Sequence, residues 1–214
     1  MPGTSLTAHE MQLVADAQML ITKNTIIQKV YELFGNLAEE YKKELSNKLP
    51  ENFPITHPKI SRGENYLGLP YVMLDFPRLF GKTDIFAVRS FFWWGNFFSI
   101  TLQLSGKYYQ QCAFAIENAI NKNRFINWHI STAENQWEHH FESSNYVLLA
   151  EGIHFNHAGH TFLKLAKKIP LTRWDETNSF FIENFTFLIQ TLFPMRQSGE
   201  TSLSPGTPTT AFDL

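Results

Sequence analysis

The chain has 214 residues, 43% of them hydrophobic and 15% aromatic, and a formal net charge of −2 at neutral pH. That is enough apolar material for one sizeable core, and it excludes general disorder. Lysines and arginines are dispersed and form no basic stripe, so no nucleic acid is expected as a partner.

Cys112 is the only cysteine, which rules out an intrachain disulfide and fits a reducing compartment. The N-terminus has neither the basic n-region nor the apolar h-region of a secretory signal. No run of about 18 apolar residues occurs, so no spanning helix is expected. A cytoplasmic protein without a membrane partner is the expectation.

Thr7-Ala8-His9-Glu10 matches the capping box and opens a helix expected to run to about Ile21. A second helix is expected from about Asn24. Ile26, Val30, Leu33, Phe34, Leu37, Tyr41 and Leu45 recur at helical spacing there, and Pro50 limits it. Residues 50–83 are rich in Pro and Gly. Short strands are expected near Lys59–Arg62 and Tyr71–Phe76, with Pro70 and Pro77 bounding the second.

The run from Asp84 to Leu104 is the most informative segment. Gly95-Asn96 separates two strand-like runs, and a glycine at the first loop position suits a type II′ turn. A two-residue loop sets Trp94 opposite Phe97, Trp93 opposite Phe98 and Phe91 opposite Ile100. One face is then Ala87, Arg89, Phe91 and Trp93 with Phe98, Ile100, Leu102 and Leu104, a core face with one arginine in it. The other face sets Phe86, Val88, Ser90, Phe92 and Trp94 against Phe97, Ser99, Thr101 and Gln103.

This mixed face reads in two ways. It is a sheet surface covered by a helix, or it is the wall of a pocket whose hydroxyl and amide groups orient a ligand. Arg89 is either half of a structural ion pair or an anion receptor. The candidate ligand-binding residues are Arg89, Ser90, Phe92, Trp94, Thr101 and Gln103.

Ser105 is placed to cap a helix whose inward stripe is Tyr109, Cys112, Ala113, Ile116, Ala119 and Ile120, which makes Cys112 a buried small hydrophobe. Phe125–Ile130, Gln136–Glu142 and Tyr146–Glu151 read as strands. Helices are expected over His157–Lys168 and over about Asp175–Phe193. From Gln197 to Thr210, eleven of fourteen positions are Ser, Thr, Gly or Pro, which marks 197–214 as a flexible tail behind a single domain over 1–196. The expected fold is α+β: a mostly antiparallel sheet of about five to seven strands with helices packed on it, a helical N-terminus and a C-terminal helix.

Histidines cluster in the second half. His154, His157 and His160 are spaced by three, and neutral imidazole is a good ligand for zinc, iron or nickel, so they are the candidate metal residues, with Glu151 to complete a site. On a helix from His157, however, they point away from the apolar stripe of Ala158, Phe162, Leu165 and Ile169. Gly81-Lys82-Thr83 lacks the first glycine of a phosphate-binding loop, and neither a nucleophile elbow nor an H-E-x-x-H occurs. No cofactor is called for. The first functional expectation is a non-catalytic domain binding a small apolar or amphipathic ligand at the aromatic hairpin. The alternatives are a metal-dependent hydrolase-like enzyme using the histidines, and an interaction or structural domain, including a homodimer through exposed aromatics.

Overall fold

The computed structural model describes residues 3–46, 48–50, 53–54, 56–156 and 158–194. The tail expected over 197–214 and the candidate metal ligand His157 lie outside them. Helices α1 (Ala8–Ala15) and α2 (Ala17–Leu45) precede a hairpin of β1 (Lys59–Tyr66) and β2 (Leu69–Phe80). A second hairpin follows, β3 (Ile85–Trp93) and β4 (Phe97–Ser105). Then come α3 (Gly106–Asn121), the short strands β5 (His129–Ser131) and β6 (Tyr146–Leu148), β7 (Phe162–Pro170), a 3₁₀ turn over Leu171–Glu176 and α4 (Thr177–Leu192). All seven strands form one antiparallel sheet in the order β1-β2-β3-β4-β7-β5-β6, so the fold is α+β.

Three helices cover one face of this sheet. α2 buries Ile27, Val30, Phe34, Leu37, Tyr41 and Leu45 at three- and four-residue spacing. α3 buries the whole stripe expected from its sequence and adds Tyr108. α4 contributes Phe181, Phe185, Leu188 and Ile189. They pack on Val72, Leu74, Phe86, Val88, Phe92, Phe98, Ile100, Leu102 and Leu165 as one core. Among the described residues no helix is long and apolar enough to cross a membrane.

Several expectations are corrected. The capping box of Thr7 and Glu10 is present, but the helix breaks at Asp16, whose carboxylate caps α2 by accepting from the Met19 N–H. The segment Gln136–Glu142 is not a strand, and Phe125–Ile130 contributes only β5. The helix expected over His157–Lys168 is replaced by strand β7. Its period is two: Leu163, Leu165 and Ile169 face the helices, while Lys164 and Ala166 face the other way.

The largest correction concerns the aromatic hairpin. Its loop is Trp94-Gly95-Asn96, so Trp93 pairs with Phe97, Phe92 with Phe98, Phe91 with Ser99 and Arg89 with Thr101. The Asn96 N–H donates to the Trp93 carbonyl (3.0 Å), which puts Gly95, at φ +72°, third in the turn, where a type II turn needs positive φ. The Trp94 N–H leaves the ladder for the Pro70 carbonyl (3.0 Å) of the neighbouring hairpin. A slip of one residue exchanges the faces of one strand against the other. The helix-covered face is therefore Phe86, Val88, Ser90 and Phe92 with Phe98, Ile100, Leu102 and Leu104.

Candidate functional site

The same slip gathers the polar residues of the hairpin on the second face. Asp75, Arg89, Thr101, Ala166 and His129 stand in one row across β2, β3, β4, β7 and β5. The next row holds Ala87, Gln103 and Lys164, and the row on the other side holds Phe91, Ser99 and Lys168. No helix among the described residues covers this face. Segment 132–145, which joins β5 to β6 without helix or strand, lies on it instead.

Arg89 is the centre of the arrangement. Its Nε and Nη2 donate to the two carboxylate oxygens of Asp75 at 2.7 and 3.0 Å, a bidentate pair buried from solvent. Its Nη1 lies 3.0 Å from Nε2 of His139. A guanidinium only donates, so that nitrogen accepts and the ring is neutral with its proton on Nδ1. Burial, and then the charges of Arg89 and Lys164, hold the His139 pKa well below the ordinary 6.5, which agrees with that assignment.

Lys164 is 1% exposed. Its Nζ donates to the backbone carbonyl of Glu138 and sits 5.2 Å from the centre of the Tyr146 ring. It forms no ion pair among the described residues. Burial pushes its pKa down to about 7; the Arg89 charge acts in the same direction and the Glu138 carboxylate opposes both.

Tyr66 ties the covering segment to β1. Its hydroxyl accepts the N–H groups of His139 (2.7 Å) and His140 (3.0 Å) and donates to Glu138 Oε2 (3.3 Å). Gln103 Nε2 donates to Gln136 Oε1 at 3.0 Å. Buried polar atoms on this face without a hydrogen-bond partner among the described residues include Nε of Arg78 and Nδ1 of His129; the Tyr146 hydroxyl has only the Thr101 side chain beside it. Burial raises the pKa of Tyr146 and lowers that of His129. The apolar end of the face is aromatic. Phe91, Trp93 and Phe97 form a second, smaller core with Tyr66, Tyr71 and Phe141. Phe141 stacks on Tyr146 with ring centres 4.8 Å apart, and the Lys168 ammonium lies 4.8 Å from the Phe141 ring centre.

Of the six candidate ligand-binding residues, the structure brings Arg89, Thr101 and Gln103 together here. Ser90 and Phe92 are on the opposite face, Ser90 3.0 Å from the Tyr41 hydroxyl and Phe92 in the main core. Trp94 sits in the turn, against Phe92. His154 and His160 are exposed in the connection between β6 and β7, and among the described residues no group of three or more His, Cys, Asp or Glu is placed to hold a metal ion. Lys164, His139, Tyr66 and Tyr146 were not singled out from sequence. The available signal was the alternation of Leu and Lys in β7.

Apolar clefts lie on the helix side of the sheet. One of about 610 Å³ is lined by Leu45, Leu49, Phe53 and Phe76 with Lys42 and His57 at its polar end. A second of about 490 Å³ shares Phe53 and reaches Phe86, Tyr108 and Cys112, whose thiol is pushed up to about 11 by burial. Apart from Cys112, the shifted titrating groups lie elsewhere, and most of the large shifts are on the loop-covered face. Comparison with known protein families, with curated proteins and with solved structures gave no match.

Proposed function

We propose that this protein binds a small amphipathic molecule with an anionic head on the loop-covered face of the sheet, without carrying out chemistry on it. The single observation that supports this most is Lys164, a buried amine beside a buried guanidinium, with a backbone carbonyl as its partner and no ion pair among the described residues. Arg89 already has Asp75, so the head of the ligand belongs to Lys164. Nδ1 of His129 has no hydrogen-bond partner among the described residues, and the Tyr146 hydroxyl has only Thr101 beside it. The apolar part of the molecule would lie against Phe91, Trp93, Phe97 and Phe141. Segment 132–145 must move for entry. It has no regular structure, and long unstructured connections of this kind often act as lids or binding loops.

An anion beside Lys164 favours the ammonium form, so binding above neutral pH should draw in a proton. Calorimetric titration with decanoate near pH 8, in two buffers of different ionisation enthalpy, reads that directly. The expected uptake is most of one proton per ligand. Lys164→Met should weaken binding by about 10- to 100-fold, the worth of one charge-assisted hydrogen bond. Unchanged affinity in that variant, or binding without proton uptake, overturns the reading.

The cleft of about 610 Å³ favours a second reading, because its size and apolar lining suit a small ligand. Leu49→Trp would fill it. Decanoate binding lost in that variant and kept in Lys164→Met would move the site there.

A further inference from the structure

The two N-terminal helices carry apolar surface that no other described residue covers. α1 buries no side chain, and the first buried residue of α2 is Ile27, although the helix begins at Ala17. Leu6, Met11, Leu13, Val14, Met19, Leu20 and Ile21 are between 40 and 71% exposed. Leu20 lies seven residues before Ile27. The stripe with which α2 packs on the body therefore continues beyond the part that is covered.

A helix as short as α1 is not stable by itself in water, because its few hydrogen bonds do not offset the cost of nucleation. Yet its start is fully specified: the Thr7 hydroxyl accepts from the Glu10 N–H, and the Glu10 carboxylate accepts from the Thr7 N–H. A well-capped helix with nothing to pack on among the described residues needs further cover.

The charges restrict what that cover is. Residues 4–22 contain no Lys or Arg, and their two acids, Glu10 and Asp16, are both used as helix caps. An anionic membrane surface is recognised by basic residues on the polar face of a helix, and there are none. A charged protein partner would likewise find nothing to pair with. A second copy of the same segment needs no such pairing, since a two-fold axis presents each apolar patch to itself. The area is also sufficient. The exposed parts of the seven side chains come to on the order of 600 Å² per chain, and the share that one helix face presents is enough for a weak, concentration-dependent dimer.

We propose that α1 and the first part of α2 form a homodimer interface, packed against the same helices of a second copy. Sedimentation of the full chain at increasing concentration should show a monomer–dimer equilibrium. It should weaken little with added salt, because few charges take part. The double variant V14E L20E puts two acids into the interface and should raise the dissociation constant by at least about 100-fold. Neither side chain is buried in the single chain, so tryptophan emission, which reports only the body, should not change. A wild-type chain that stays monomeric overturns the proposal. So does a dimer that persists in V14E L20E. A monomer that binds vesicles of zwitterionic phosphatidylcholine through this segment would also overturn it, in favour of a lipid surface.

Discussion

Replacing Lys164 by methionine separates the cost of the buried amine from everything else on the loop-covered face. The pKa of this amine is about 7 in the folded chain against an ordinary value of 10.5. Below both values the amine is charged in both states, and the folded protein bears the full cost of burying it. Between them the unfolded chain binds the proton and the folded chain does not, so stability rises with pH. Above both, the amine is neutral in either state and the gain is complete. Each pH unit in the window is worth about 1.4 kcal/mol, so the whole span is on the order of 5 kcal/mol, reduced wherever the covering segment lets water in. The usable part of the window runs from about pH 7 to 9. Above it, Cys112, raised to about 11 from an ordinary 9, begins to work in the opposite sense, and buried Tyr41 and Tyr146 follow. Below it, the lowered pKa values of His129 and His139 add their own slope. Urea denaturation followed by tryptophan emission should therefore show wild-type stability climbing by about 2–3 kcal/mol more across that range than Lys164→Met, in which the lowered pKa of half-buried Lys167 still adds a slope of the same sign. The methionine variant also loses the bond to the Glu138 carbonyl, but that loss is the same at every pH and shifts the curve without tilting it. Parallel curves for the two proteins would refute a buried titrating amine.

Two further substitutions probe the same face. Asp75→Ala leaves the Arg89 guanidinium buried without its acid, and should cost about 3–5 kcal/mol of unfolding free energy, most of it recovered when Arg89→Met is added; a cost below ~1 kcal/mol in chemical denaturation would mean that water reaches the pair. Phe91→Ala removes a ring that is 1% exposed and packed between Tyr66, Tyr71 and His139, and should cost about 3–5 kcal/mol. A loss under ~1 kcal/mol would show that the smaller aromatic core is not closed.

The parts of the fold that were legible are those decided by neighbours in sequence. The α3 stripe from Tyr109 to Ile120 is an unbroken 3.6-residue pattern, and each member of it is buried. The capping box at Thr7 is a local pair of hydrogen bonds, and it forms. The register of the aromatic hairpin was not legible, because β3 is apolar on both sides: Phe86, Val88 and Phe92 on one, Phe91 and Trp93 on the other. Alternation could not choose between them, so loop length decided, and the loop is set by a third strand through the Pro70 carbonyl. Half of the candidate site followed from that register. β7 failed for a different reason. Ala158, Phe162, Leu165 and Ile169 mimic a helical stripe, while a lysine at 164 argues against a strand buried on both faces unless the second cover is polar.

That second cover and the polar face explain each other, up to a point. A segment without helix or strand brings backbone N–H and C=O groups that must be paired when buried. An apolar sheet face could not pair them. This one does: Lys164 takes the Glu138 carbonyl, Tyr66 takes the N–H groups of His139 and His140, and Gln103 and Arg89 hold the side chains of Gln136 and His139. Anchoring a loop, however, does not require a lysine. One carbonyl needs one donor, and a neutral side chain supplies it without the desolvation that drives this amine's pKa down. Lys164 brings three donors for that one acceptor, on the face that also carries Nδ1 of His129, without a hydrogen-bond partner among the described residues. The polar groups on this face exceed what the loop consumes. A structural role accounts for the paired groups. The unpaired ones are what the proposed anionic ligand would take up.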